Sequence, residues 1–142
     1  MRTGMMVAAL MALLLGTQAA DAAFELMADN NIGKFRAFYV LGMRIALADP
    51  DGLTLYTYEK DGFEKSNCAG ECLRSWPPML AVAGDKGGFE SLSVFTREDG
   101  QQQWAHTGRP LYRSVKDTAP GTANGNGVDD AWYIVEVGAH EM

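Results

Sequence analysis

One segment of the chain occurs twice, and this constrains the fold more than any other feature. Leu55-Tyr56-Thr57-Tyr58-Glu59-Lys60-Asp61 is echoed by Leu111-Tyr112-Arg113-Ser114-Val115-Lys116-Asp117, which keeps Leu, Tyr and Asp at a constant offset of 56 positions. The same offset carries Gly52 onto Gly108 and Trp76 onto Trp132. Matches of special residue types in one register mark two copies of one unit. A unit of about 45 residues buries too little apolar surface to offset its own chain entropy, so each copy needs the other as core partner. The expectation is one domain, with repeat one at about 43–80 and repeat two at about 99–137. Tyr56 and Tyr112, like Trp76 and Trp132, should then take equivalent positions.

The start of the chain reads as a secretory signal peptide, residues 1–22. Arg2 is positive, Met5 to Leu15 is apolar, and Ala20-Asp21-Ala22 is a small-residue cleavage site. Cleavage is expected to leave residues 23–142 as a β-rich domain that is periplasmic or secreted. No cysteine lies near the cleavage site to accept a lipid anchor, and no later stretch has the apolar length of a membrane span. The net charge of −6 is spread rather than blocked, which argues against nucleic acid and anionic surfaces as partners.

Lys34 to Phe38 alternates polar and apolar residues, as a half-buried strand does. Met43 to Leu47 reads as a second strand, turned by Asp49-Pro50-Asp51-Gly52 into a returning strand over Leu53 to Tyr58. Asp61 to Ser75 is a loop or short helix that Trp76-Pro77-Pro78 stops. Ser91 to Thr96, Gln101 to His106, Leu111 to Val115 and Ala131 to Val137 follow as strands, with a loop over Thr118 to Asp130. No helical periodicity appears after the signal. The fold class is all-β: a small single domain of antiparallel strands, with a short helix or loop at the cysteine segment.

Several of these stretches resemble the bacterial secreted repeat family of unknown function, often described as lipoproteins with a Tyr-x-aromatic-x-x-Asp motif. Gly52 to Asp61 is similar to that motif, and so is the run from Cys68-Ala69-Gly70-Glu71-Cys72 to Trp76-Pro77-Pro78-Met79-Leu80. In the second half the resemblance lies in Gly108 to Tyr112, Pro120-Gly121-Thr122, and Asn124 to Val128 before Trp132. It spans roughly Met43 to Val137. The chain departs from the pattern in lacking the lipidation cysteine, in Ser114 replacing the second aromatic, and in a longer segment before Asp49. The resemblance implies a secreted β-fold and assigns no activity.

Tyr56, Tyr58, Asp61, Tyr112 and Asp117 are the candidate binding residues. On a strand Tyr56 and Tyr58 face one side, so two rings and a nearby acid can form a ligand platform. The competing reading makes the tyrosines core and the aspartates loop pins. Duplication favours that reading, because function lies more often in loops than in shared strands. Cys68 and Cys72 are the only cysteines, and in an oxidising compartment a disulfide between them is expected. Thioredoxin-like and haem-attachment motifs need two intervening residues, not three. Under the offset, Cys68 falls on Asn124 and Cys72 on Val128, so the bridge has no twin.

The Asn124 to Asp130 loop, with Asp117, offers oxygens for calcium but lacks the acids of an EF-hand. Asn-Gly pairs are also common turn formers. His106 lies two residues beyond Trp104, with no catalytic motif beside it. Met79, His140 and Met142 offer a soft ligand set of the kind copper takes, without any repeated Met motif. The chain is therefore expected to be a non-enzymatic β-domain, a binding or accessory module for a protein or small ligand, without catalytic residues, metal or cofactor. The alternative is a copper-handling or redox accessory protein using the Cys68/Cys72 pair.

Overall fold

In the computed structural model the described residues are 33–42, 44–88 and 91–138. The expected signal peptide, His140 and Met142 lie outside them. Two hairpins begin the two halves. β1 (Arg36–Val40) pairs with β2 (Arg44–Ala48), Arg36 opposite Ala48 and Val40 opposite Arg44. After β3 (Tyr56–Tyr58) and one helical turn, α1 (Cys72–Ser75), the second hairpin joins β4 (Leu92–Thr96) to β5 (Gln102–His106), with β6 (Arg109–Pro110) on its edge. A 3-10 turn, Val128–Asp130, leads into β7 (Trp132–Ile134), which pairs with β3. Among the described residues the fold is all-β and antiparallel, with one short helix at Cys72, as the sequence implied.

Local chemistry explains the first turn. Asp49 is fully buried, and its Oδ1 accepts from the backbone N–H of Asp51 and of Leu53, both at 2.9 Å. That arrangement closes an Asx turn. Gly52 takes φ +89°, a conformation costly for any residue with a Cβ. The Nε of Arg113, from the other copy, lies 2.6 Å from Asp49 Oδ2 and neutralises it.

The halves are interlocked. In copy one, Leu47 N–H donates to Val135 O, Val135 N–H to Leu55 O, and Leu55 N–H to Leu47 O, at 2.8, 3.2 and 2.9 Å. Copy two repeats the triangle: Trp104 N–H to Met79 O, Met79 N–H to Leu111 O, and Leu111 N–H to Trp104 O, at 2.9, 2.8 and 2.9 Å. The segment after Trp132 thus closes the sheet of copy one, and the segment after Trp76 closes that of copy two. One apolar cluster runs through both, with Leu47, Leu55 and Val135 meeting Trp104, Leu111 and Met79.

Three expected strands are shorter than their sequence suggests. Of Ala131 to Val137, only Trp132–Ile134 is continuous strand. Leu111 to Val115 forms no continuous strand: Tyr112 bridges to Tyr56 and Pro78, and beyond it Arg113 N–H donates to Pro77 O. Ser114 then bends the chain, its Oγ accepting from Lys116 N–H at 3.2 Å and its carbonyl from Asp117 N–H at 3.1 Å. Leu53 to Tyr58 does not simply return along β2. Thr54 and Leu55 pair with the end of β2, and Tyr56 onward leaves it for β7.

Candidate functional site

A pseudo-twofold axis passes between Tyr56 and Tyr112. Each donates its backbone N–H to the other's carbonyl, at 2.8 and 2.9 Å. Both side chains are 0 % exposed. Their hydroxyls cross over: Tyr56 of copy one donates to Asp117 Oδ2 of copy two, and Tyr112 of copy two donates to Asp61 Oδ2 of copy one at 2.7 Å. Each aspartate also holds a loop by its other oxygen. Asp61 Oδ1 accepts from Asn67 N–H at 2.6 Å, and Asp117 Oδ1 accepts from Asn124 N–H at 2.9 Å. The asparagine side chains close the two loops alike, donating to Lys60 O and Lys116 O.

The tryptophans complete the axis. Trp76 and Trp132 stack with centroids 3.9 Å apart and planes 2° apart. Tyr56 meets Trp76 edge-on at 5.4 Å, and Tyr112 meets Trp132 edge-on at 5.2 Å. Tyr58, partly exposed, covers the outer face of Trp132 at 4.3 Å. The two repeated glycines receive the opposite copy's loop. A Cβ on Gly52 would lie 3.1 Å from the Pro120 ring, and one on Gly108 would lie 2.1 Å from the Phe63 ring. Every residue pair that announced the repeat in sequence sits at a contact between copies.

This geometry is what a duplicated unit folding against itself produces, and the family comparison agrees. The family model described as a secreted repeat of unknown function matches residues 46–79 and 93–136, more than half of the chain. The chain belongs to this family of secreted repeats. No curated protein and no solved structure matches it. The two matched segments correspond to the two interlocked copies.

The secreted repeat is not perfectly symmetric. Asn67 and Asn124 play one role but are 57 positions apart, so one extra residue enters copy two before this point. The position matching Cys68 is therefore Gly125 rather than Asn124. Gly125 N–H donates to the Tyr56 hydroxyl at 3.2 Å, and its α-carbon lies against the Trp76 ring, leaving no room for a side chain. In copy one this place holds the Cys68–Cys72 disulfide, with Cα atoms 5.3 Å apart.

A second asymmetry was not anticipated from sequence. Val40 and Ala46 of copy one are apolar, whereas the matching places in copy two hold Arg97 and Gln103, both buried. Arg97 donates to Gln103 Oε1 at 2.6 Å, Ser66 Oγ at 3.0 Å and Cys68 O at 3.1 Å, and pairs with Asp99. Ser66 Oγ lies 2.6 Å from the Tyr112 hydroxyl. Arg97 thus fastens the disulfide loop to the tip of the β4–β5 hairpin.

Electrostatics follow from burial. Burial, and then the neighbouring carboxylate, push the Tyr56 phenol well above its ordinary value. Burial raises Tyr112 as well, Ser66 opposing and Asp61 reinforcing. Burial also raises Asp61, against the opposing bonds from Asn67 and Tyr112. Both tyrosines therefore remain protonated donors.

The oxygens considered for calcium have other duties. Asp117 serves Tyr56, Asn124 and Thr122, and Asn126 Oδ1 accepts from Ile134 N–H at 3.0 Å. Among the described residues no three His, Cys, Asp or Glu side chains group as metal ligands. Among them also, no helix is long and apolar enough to cross a membrane.

Proposed function

We infer that the chain is a non-enzymatic, periplasmic or secreted β-domain, a binding or accessory module that meets a protein or small ligand through its loops. The observation carrying this reading is the crossed Tyr–Asp pairing. The polar atoms of the repeated motif are spent on joining copy to copy, and the rings of Tyr56 and Tyr112 present no face to solvent. That leaves recognition to the loops, where the two copies differ. Among the described residues Phe63 offers the most exposed large apolar side chain, at 79 %. It sits on the buried Gly108, which fixes its loop.

The test is chemical cross-linking of the mature protein in its own extracytoplasmic fraction. A specific adduct should be lost in Phe63→Ser and retained in Tyr56→Phe, both variants remaining folded by near-UV circular dichroism. Loss in folded Tyr56→Phe with retention in Phe63→Ser would return the ligand site to the motif. A free-thiol count and metal analysis of the same preparation test the competing copper or redox role of Cys68 and Cys72, because that role requires their bridge to open. Intact mass tests the location. Loss of residues 1–22 without a lipid adduct is expected, and a diacylglyceryl adduct would refute it.

A further inference from the structure

The structural role of the motif explains each ring contact singly but does not call for an unbroken stack that leads inward from the surface. Tyr58 lies on Trp132 with planes 14° apart, and Trp132 lies on Trp76 with planes 2° apart. Tyr56 meets the far member of the stack, Trp76, at its edge. Tyr58 is partly exposed, whereas Trp132 at 3 %, Trp76 at 6 % and Tyr56 at 0 % are buried. At the inner end the phenol proton points at Asp117 Oδ2, while Thr122 Oγ1 and Asn124 N–H hold Oδ1 at 3.0 and 2.9 Å. Only copy one supplies an outer ring, because Ser114 stands where copy two would carry the counterpart of Tyr58.

Rings in van der Waals contact couple electronically, and indole and phenol are side chains that one-electron oxidants attack. A buried phenol cannot simply lose an electron, because the cation left behind would be an uncompensated charge in a dry site. It needs a proton acceptor already in hydrogen-bond contact, and Asp117 is one.

We propose that the stack is a one-electron relay, in which an oxidant at Tyr58 draws an electron from Tyr56 through Trp76 and Trp132 while the Tyr56 proton passes to Asp117. The phenol O–H bond breaks and an O–H bond forms on the carboxylate. Tyr56 becomes a neutral phenoxyl radical, Asp117 a neutral acid, and the oxidant is reduced by one electron. The oxidant belongs to the class of outer-sphere metal centres that accept one electron without entering the fold. An electron donor at the same surface reverses each change. This activity does not depend on the binding role proposed above.

The experiment is flash oxidation of the mature protein by a ruthenium polypyridyl complex with a sacrificial electron acceptor. The background replaces Tyr39, Tyr112 and Tyr133 by Phe, leaving Tyr58 and Tyr56. A tryptophan radical should form first and convert to a tyrosyl radical, followed by transient absorption and electron paramagnetic resonance. Conversion should be slower in D2O. Asp117→Asn should slow it by about 100-fold, the lower end of what a positioned proton acceptor contributes, with Asp117→Glu restoring it. Tyr56→Phe should leave the tryptophan radical unconverted. A tyrosyl radical that persists in folded Tyr56→Phe overturns the proposal, because Tyr58 would then be the terminus. If either substitution unfolds the protein, the background itself still decides: a conversion rate equal in H2O and D2O, or no conversion at all, overturns it.

Discussion

At the scale of single residues, the two Tyr–Asp pairs look alike but differ in what surrounds the acid. Asp117 is 5 % exposed, whereas Asp61 is only half-buried. Removing the Tyr56 hydroxyl strips a donor from a carboxylate that water cannot easily reach, which costs about 1–3 kcal/mol. Removing that of Tyr112 leaves Asp61 and Ser66, both partly exposed, for water to serve, so the loss falls to about 1 kcal/mol. Urea unfolding should therefore show Tyr56→Phe more destabilised than Tyr112→Phe; the reverse order would contradict the burial argument. Acidic residues should also part in their titration. Burial raises Asp61, so its contribution is full below the unfolded pKa and is lost as pH rises through the folded one. Asp85 behaves oppositely. Its burial is outweighed by bonds from Lys34, Val82 N–H and Trp104, so its contribution exists above the unfolded pKa and is lost as pH falls through the folded one. Carboxyl-detected NMR should place the Asp61 midpoint above the ordinary aspartate value and that of Asp85 below it. Coincident midpoints would show that the surroundings do not discriminate between them.

At the scale of elements, the disulfide loop carries the main difference between copies. Closing the short span from Cys68 to Cys72 restricts the unfolded chain by about 2 kcal/mol on loop entropy alone. Replacing both cysteines by Ser should lower stability by about that amount, because Arg97 still grips Cys68 O and Ser66. A loss well beyond it in the double variant would mean that Arg97 cannot hold the loop alone. The same elements show what could be read in advance. Gly52, Leu55, Tyr56, Asp61 and Trp76 and their counterparts were legible because each meets the other copy, and a contact made twice constrains the sequence twice. The turn at Ser114 was hidden, since Leu111 and Tyr112 favour a strand and nothing local announces that the serine hydroxyl caps Lys116 N–H. The slip to an offset of 57 at Asn67 and Asn124 lies in a loop, where no alternation of polar and apolar residues marks the register. Arg97 was missed for a related reason. It adjoins Glu98-Asp99-Gly100, a stretch that reads as a solvated turn, and its burial depends on Ser66 and Cys68, which are remote in sequence.

At the scale of the whole molecule, the governing fact is that neither copy owns its sheet. Leu55 of copy one pairs with Val135 of copy two, Leu111 of copy two pairs with Met79 of copy one, and the tyrosines meet on the axis. Residues 23–86 alone would leave these backbone groups unpaired, Trp76 without its stacking partner and Tyr56 without Asp117. A half of that size cannot offset its conformational entropy by what it buries itself. Expressed alone, residues 23–86 should give a poorly dispersed NMR spectrum and no near-UV signal from ordered tryptophan. Co-expressed with residues 87–142, the same fragment should assemble into a one-to-one complex with the near-UV spectrum of the intact protein. The interlock is made of contacts between halves, and the chain joining them contributes only a high effective concentration. The complex should therefore weaken on dilution, whereas the intact chain should not. A well-dispersed monomeric spectrum from residues 23–86 would show that copy one is a complete folding unit, and the crossed tyrosine–aspartate pairs would then be an interface between two finished domains.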